Sequence, residues 1–157
     1  MKVVVDEVVE NYSNMLMQIA FQRTFNKSEA EDVVQETFIR LMKNLKKIKN
    51  EEHLKSWLIR VTINICNDYN KSSWNKVTSE LDENVKYLDN ETKEVIVQIN
   101  ELKPQYRDIV YLYYYQGYKT KEIAKILKMK ENTVSSNLTR ARETLKNILK
   151  EEGEFYE

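Results

Sequence analysis

Two glycines and one proline are spread over 157 residues, and this scarcity restricts the fold more than any other property of the chain. An all-β architecture needs turn residues at short intervals, and a phosphate-cradling loop needs a glycine run, so both are disfavoured. Runs of Glu, Lys, Leu and Ile favour an all-α protein instead. Cys66 stands alone, so no internal disulfide can form. With His53 as the one histidine, a Cys/His zinc site is ruled out. No apolar run reaches membrane-spanning length, and residues 1–10 lack a signal-peptide pattern. A soluble, cytoplasmic helical chain without metal or cofactor is expected.

The stretch from Lys119 to Leu149 says most about function. Thr120 to Leu127 reads as a short helix with Ile123, Ala124 and Leu127 on one face. Lys128, Met129 and Lys130 read as a turn. From Glu131 a second helix carries Val134, Leu138, Ala141, Leu145 and Leu149, an apolar stripe at helical period. Its opposite face shows Ser135, Ser136, Thr139, Arg140 and Arg142. Two helices at a tight turn, the second polar and basic outside, describe a helix-turn-helix able to enter a DNA major groove. An ordinary helical hairpin with a solvated face has the same pattern.

The formal net charge is zero, which is unexpected for a DNA binder. Its distribution removes the difficulty. Residues 103–150 hold 11 Lys and Arg against 4 Asp and Glu, whereas the tail 151–157 holds 4 Glu and no base. Positive charge thus lies where phosphate attraction needs it. The modest total predicts weak DNA binding by the chain acting alone.

Upstream, residues 1–25 read as a helix with Val9, Tyr12, Leu16, Ile19 and Ala20 on one face. Ser28 with Glu31 reads as a capping box opening a second helix, whose buried stripe is Val34, Phe38, Leu41 and Leu45. The other side of that helix carries Asp32, Gln35, Glu36 and Arg40, for which a solvated surface is the simplest account. Lys43 to His53 is a basic loop holding Lys47, Lys49 and Asn50. A third helix from Leu54 to Ser72 turns Leu54, Leu58, Val61 and Ile65 inward. Trp57, Arg60, Asn64, Asp68 and Lys71 follow one another on a different strip. That strip suits single-stranded nucleic acid, with a ring for stacking and cations for phosphates. It equally suits a core Trp beside solvated polar groups.

Residues 71–90 are polar and acidic and read as a linker, so two small helical domains are expected. Helix resumes over 91–102 with Val95, Ile99 and Leu102 buried. Pro104 suits the first turn of a further helix reaching Gln116, with Gly117 as its C-terminal cap. Four tyrosines between Tyr111 and Tyr115 cannot all face one side of a helix.

Three of these segments resemble, in order, motifs of the sigma-70 family of bacterial transcription initiation factors. AEDVVQETFIRL (Ala30 to Leu41) and WLIRVTINICNDYNK (Trp57 to Lys71) are similar to its region two. KPQYRDIVYLYYYQGYKTKEIAKIL followed by ENTVSSNLTRARETL is similar to its region four. The sequence between them is too short for a third domain, which points to the compact extracytoplasmic-function group.

The resemblance implies region two over 1–73, a linker over 74–92, region four over 93–150 and an acidic tail over 151–157. It implies that Asp32, Gln35 and Glu36 dock on the largest-subunit clamp of core RNA polymerase. Lys47, Lys49, Asn50, Trp57, Arg60, Asn64 and Lys71 would take the single-stranded −10 element. Thr133, Ser135, Ser136, Asn137, Thr139 and Arg140 would face the −35 element. The Tyr106–Tyr115 helix would help seat region four on the polymerase flap. An anti-sigma factor is a further implied partner, and no small-molecule substrate is implied. Lys128 stands where the family often has Gly, and Ser135 and Asn137 stand where bases are common, so the −35 preference should differ.

Two rivals fit the residues alone. One is a stand-alone dimeric helix-turn-helix regulator. The other is a polymerase-binding helical protein that never touches DNA. An enzyme fits least, since no acid/base constellation is present.

Overall fold

The computed structural model describes residues 2–69, Ile99 and residues 102–151. The chain divides into two compact units, Met1–Asn84 and Val85–Glu157, each taken by itself below. The division falls inside the segment read as a linker, which itself lies outside the described residues. No strand occurs among the described residues, so the fold is all-α as expected.

Among the described residues of the first unit, three helices pack against one another: α1 (Val5–Thr24), α2 (Lys27–Lys43) and α3 (Glu51–Tyr69). Leu16, Ile19 and Ala20 of α1 meet Val33, Phe38 and Leu41 of α2 and Leu54, Leu58 and Ile65 of α3 in one core. Two expectations are corrected here. Val9 is exposed and its neighbour Val8 is buried in its place. Val61 is only half-buried, while Ile59, Thr62, Ile63 and Cys66 are buried. Because α3 touches both α1 and α2, it buries a wider arc than a single stripe provides.

The start of α2 is also corrected. The cap is Asn26, not Ser28: its Oδ1 accepts from the Glu29 backbone N–H at 3.0 Å. An Asn at that position satisfies an orphan donor as well as Ser does, so two cap candidates competed and the earlier one prevails. Phe25 just before it sits at φ 52°, a left-handed conformation unusual for an aromatic residue. Full burial of its ring, edge-on to Phe21 at 6.5 Å, offsets that strain. Side-chain hydrogen bonds then tie the helices. Thr37 and Thr62 hydroxyls bond at 3.1 Å between α2 and α3, and Arg23 donates to Asn67 between α1 and α3.

In the second unit, Ile99 and Leu102 are buried as expected; the other residues of the helix expected over 91–102 lie outside the described residues. Pro104 opens α4 (Pro104–Val110), where its missing N–H costs nothing. The helix was expected to continue regularly to Gln116. Instead it widens into a π-helical turn over Tyr111–Tyr115, with Gln116 N–H reaching the Tyr111 carbonyl at 3.2 Å. The wider turn buries Tyr111 and Leu112 and leaves Tyr114 and Tyr115 exposed, which resolves the crowding of four tyrosines. Burial pushes the Tyr111 phenol up to about 12, although Gln116 donates to its oxygen at 3.1 Å. Gly117 then takes φ +72°, the left-handed stop foreseen for it.

Next come α5 (Thr120–Leu127) and α6 (Glu131–Glu151), packed on each other and, through α6, on α4. Ile123 and Ala124 are buried as expected, but Ile126 is buried and Leu127 only half-buried. Lys128 adopts φ 54°, and Met129 N–H bonds the Ala124 carbonyl at 2.9 Å, closing a Schellman-type turn. A lysine in that conformation is strained by about 1 kcal/mol. Replacing Lys128 with Gly is therefore expected to stabilise this unit by about 1 kcal/mol, a rise of roughly 4–8 °C in Tm. A thermal melt of the variant at or below wild type would sink that expectation.

Candidate nucleic-acid interface

The candidate sites lie on three surfaces, two in the first unit and one in the second. The first is the outer face of α2. Asp32 and Gln35 are exposed and Glu36 is half-exposed. Arg40 Nε donates to Glu36 Oε1 at 3.1 Å, an ordinary i,i+4 surface pair worth a few tenths of a kcal/mol. Sequence reasoning missed two further members. Ile39 and Met42 are exposed large apolar side chains at 41% and 52%. Each lies seven residues, two turns, beyond Asp32 or Gln35, so extending the polar stripe would have found them. Apolar side chains displayed among acids and amides set this face apart from an ordinary solvated helix surface.

The second surface is the loop between α2 and α3. A short 3-10 turn over Leu45–Lys47 leads into it. Ile48 is buried and pins the loop to the core, leaving Lys46, Lys47 and Lys49 exposed around it. Asn50, expected to contact DNA, is exposed but also caps α3: its Oδ1 accepts from His53 N–H at 2.8 Å. His53 returns the bond, its Nδ1 accepting from the Lys49 backbone N–H at 3.0 Å. Beyond the loop, Arg60 is half-exposed and Asn64 exposed on α3; Lys71 lies outside the described residues. Trp57 is different. Only 9% of it is exposed, so its ring belongs to the core and is not displayed for stacking.

The third surface is the helix-turn-helix. Val134, Leu138 and Ala141 of α6 are buried against the unit, and Leu145 is half-buried. Thr133, Ser135, Ser136, Thr139 and Arg140 are exposed, with Asn137 half-exposed at the margin. Thr139 donates its hydroxyl to the Ser135 carbonyl at 3.0 Å, which leaves its oxygen to the outside as an acceptor. Lys119, Lys121, Lys125, Lys128 and Lys130 are all exposed along α5 and the turn, a basic rim for phosphates. Arg142 has a separate engagement that sequence could not show. Its Nε donates to the Tyr114 hydroxyl at 2.6 Å, and its guanidinium lies 5.1 Å from the Tyr113 ring centre. That bond holds the guanidinium still further up from its ordinary basic range.

Among the described residues no group of His, Cys, Asp and Glu could hold a metal ion, and no helix is long and apolar enough to cross a membrane. A helix-turn-helix with an exposed polar reading face and a basic rim defines the second unit as a DNA-binding module. The comparisons with known proteins take this further. Residues 8–75 match the family model for sigma-70 region 2, and residues 92–145 match that for sigma-70 region 4. The extracytoplasmic-function sigma factor SigM of Bacillus subtilis is 30% identical over 154 residues, covering 92% of this chain and 94% of that protein. SigV of the same organism is 24% identical, covering 85% and 83%. Among solved structures, CnrH in complex with the cytosolic domain of CnrY aligns at TM-score 0.72 and 22% identity, covering 93% of this chain and 87% of that one. The sigma factor RpoE of Bartonella quintana, solved with the anti-sigma factor NepR, aligns at 0.71 and 19%, covering 92% and 96%. The chain belongs to the sigma-70 family, in its extracytoplasmic-function group, and is an RNA polymerase sigma factor. Neither the stand-alone regulator nor the DNA-free interaction protein is favoured by these relatives.

Proposed function

We propose that this chain binds core RNA polymerase, reads the −35 and −10 elements of promoters and helps open the duplex. The observation that carries the reading is the helix-turn-helix, with Ser135, Ser136, Thr139 and Arg140 exposed on α6 beside a basic rim. In this reading those side chains face −35 bases, with Thr133 and Asn137 at the margins of the contact. The outer face of α2, Asp32, Gln35 and Glu36 with Ile39 and Met42, docks on the polymerase clamp. Lys47 and Lys49, with Arg60 and Asn64 on α3, take the unpaired −10 strand. An unstacked base costs a few kcal/mol, which contacts in the loop offset. The exposed tyrosines of the π turn seat the second domain on the polymerase flap. No catalytic step falls to the chain itself.

Each DNA surface is small, and the net charge is zero. Specific binding therefore arises when polymerase holds both domains at fixed spacing, an effective-concentration effect. An anti-sigma factor is a further proposed partner, because the two fold neighbours are each described in complex with a second protein, in one case an anti-sigma factor.

Run-off transcription with core polymerase from the source bacterium tests the reading. Adding the chain to core enzyme and a pool of genomic promoter fragments is expected to yield discrete new start sites. If the transcripts match those of core enzyme alone, the reading fails.

A further inference from the structure

The loop that carries Lys47 and Lys49 is built unevenly. On its leading side the backbone supports itself: Lys47 N–H bonds the Asn44 carbonyl at 3.0 Å and Ile48 N–H the Leu45 carbonyl at 3.3 Å. Ile48 then plugs into the core. On the trailing side, the Lys49 N–H has no such backbone partner. It is taken by His53 Nδ1 at 3.0 Å, while Asn50 Oδ1 holds His53 N–H at 2.8 Å. The two bonds are reciprocal, in the manner of a capping box moved one residue outward. They make one imidazole the support for the exit of the basic loop.

We propose that His53 is a positioning residue for the single-strand loop: its Nδ1, by holding the Lys49 amide, fixes the loop's exit and where the Lys49 side chain stands. This rests on the reading that the loop takes the −10 strand. Accepting at Nδ1 places the ring proton on Nε2, so the neutral tautomer with a free Nδ1 lone pair is the one that works. A preorganised loop binds an unpaired strand without first having to order itself, and that advantage is lost when the support is removed.

Bond count supplies the test. An Asn side chain places its oxygen as many bonds from Cα as His places Nδ1, whereas a Gln side chain reaches the position of Nε2. Holoenzyme is reconstituted with wild type, His53→Asn, His53→Gln, His53→Ala and Lys47→Ala. Each is given the promoter found in the run-off experiment, randomised over its −10 element. His53→Asn is expected to keep wild-type initiation and −10 preference. His53→Gln and His53→Ala are expected to lose roughly tenfold in initiation, with a flattened −10 preference. Exchange of the Lys49 amide in the free chain should speed up in those two variants and not in His53→Asn, which separates loss of this bond from general unfolding. Full function with Gln and loss with Asn would make Nε2 the working atom and overturn the proposal. Equal function in all three His53 variants, with Lys47→Ala impaired, would overturn it while leaving the loop reading intact. If Lys47→Ala also matches wild type, the loop is not the strand-binding site and both fall together.

Discussion

Replacing Trp57 with alanine is expected to cost the first unit about 3–5 kcal/mol, a large part of the roughly 5–15 kcal/mol that holds a small domain together. The ring is 9% exposed, on a helix packed against both of its neighbours. Truncation removes its burial and leaves a cavity in the packed core. Urea unfolding should show the first transition displaced to low denaturant while the helix-turn-helix transition stays in place. Polymerase binding and promoter opening should then be lost together, because all first-unit surfaces depend on the same core. Trp57→Phe, which refills much of the volume, should recover most of both. A destabilisation below about 1 kcal/mol in Trp57→Ala, with opening alone lost, would instead return Trp57 to the role of a stacking ring.

Placing a charge on the outer face of α2 should do the reverse. Ile39→Asp is expected to leave stability within about 0.5 kcal/mol of wild type, since Ile39 is 41% exposed and lies outside the buried core. Core-polymerase affinity should fall by at least about 2 kcal/mol, roughly 30-fold, if Ile39 and Met42 are the desolvated anchors of the dock. Apolar anchors ringed by polar groups carry most of the energy of such contacts, and in the proposed dock Asp32, Gln35 and Glu36 would supply orientation and selectivity. Competition against a labelled wild-type chain for core enzyme measures the affinity, and a thermal melt measures the fold. Unchanged competition by Ile39→Asp would remove α2 as the docking helix. The contrast with Trp57→Ala matters: one variant is expected to keep its fold and bind weakly, the other to bind weakly because its fold is weakened.

The opposite behaviour of these two residues was only half legible in the sequence. Trp57 lies on a polar strip with Arg60 and Asn64, and spacing alone allowed it to be a platform or a core residue. Ile39 and Met42 looked like ordinary helix content until their neighbours Val33, Val34, Phe38 and Leu41 were seen to take the inside. Thr120–Leu127 has the bounds expected, Pro104 opens its helix, and Gly117 takes left-handed backbone as its C-terminal cap.

These successes and misses share one physical cause. Helical period, proline at a first turn and a left-handed stop are local matters, settled by residues three to five apart, so the sequence by itself determined an all-α chain, its two domains and a helix-turn-helix. Which of two adjacent arcs turns inward depends on what packs against it. Thr37 meets Thr62, Tyr114 meets Arg142 and Arg23 meets Asn67 across separations of 25, 28 and 44 residues. No local pattern encodes those meetings. Tertiary structure alone therefore decided that Trp57 is core, that Ile39 and Met42 are displayed, and that Arg142 is held by a tyrosine on a widened turn.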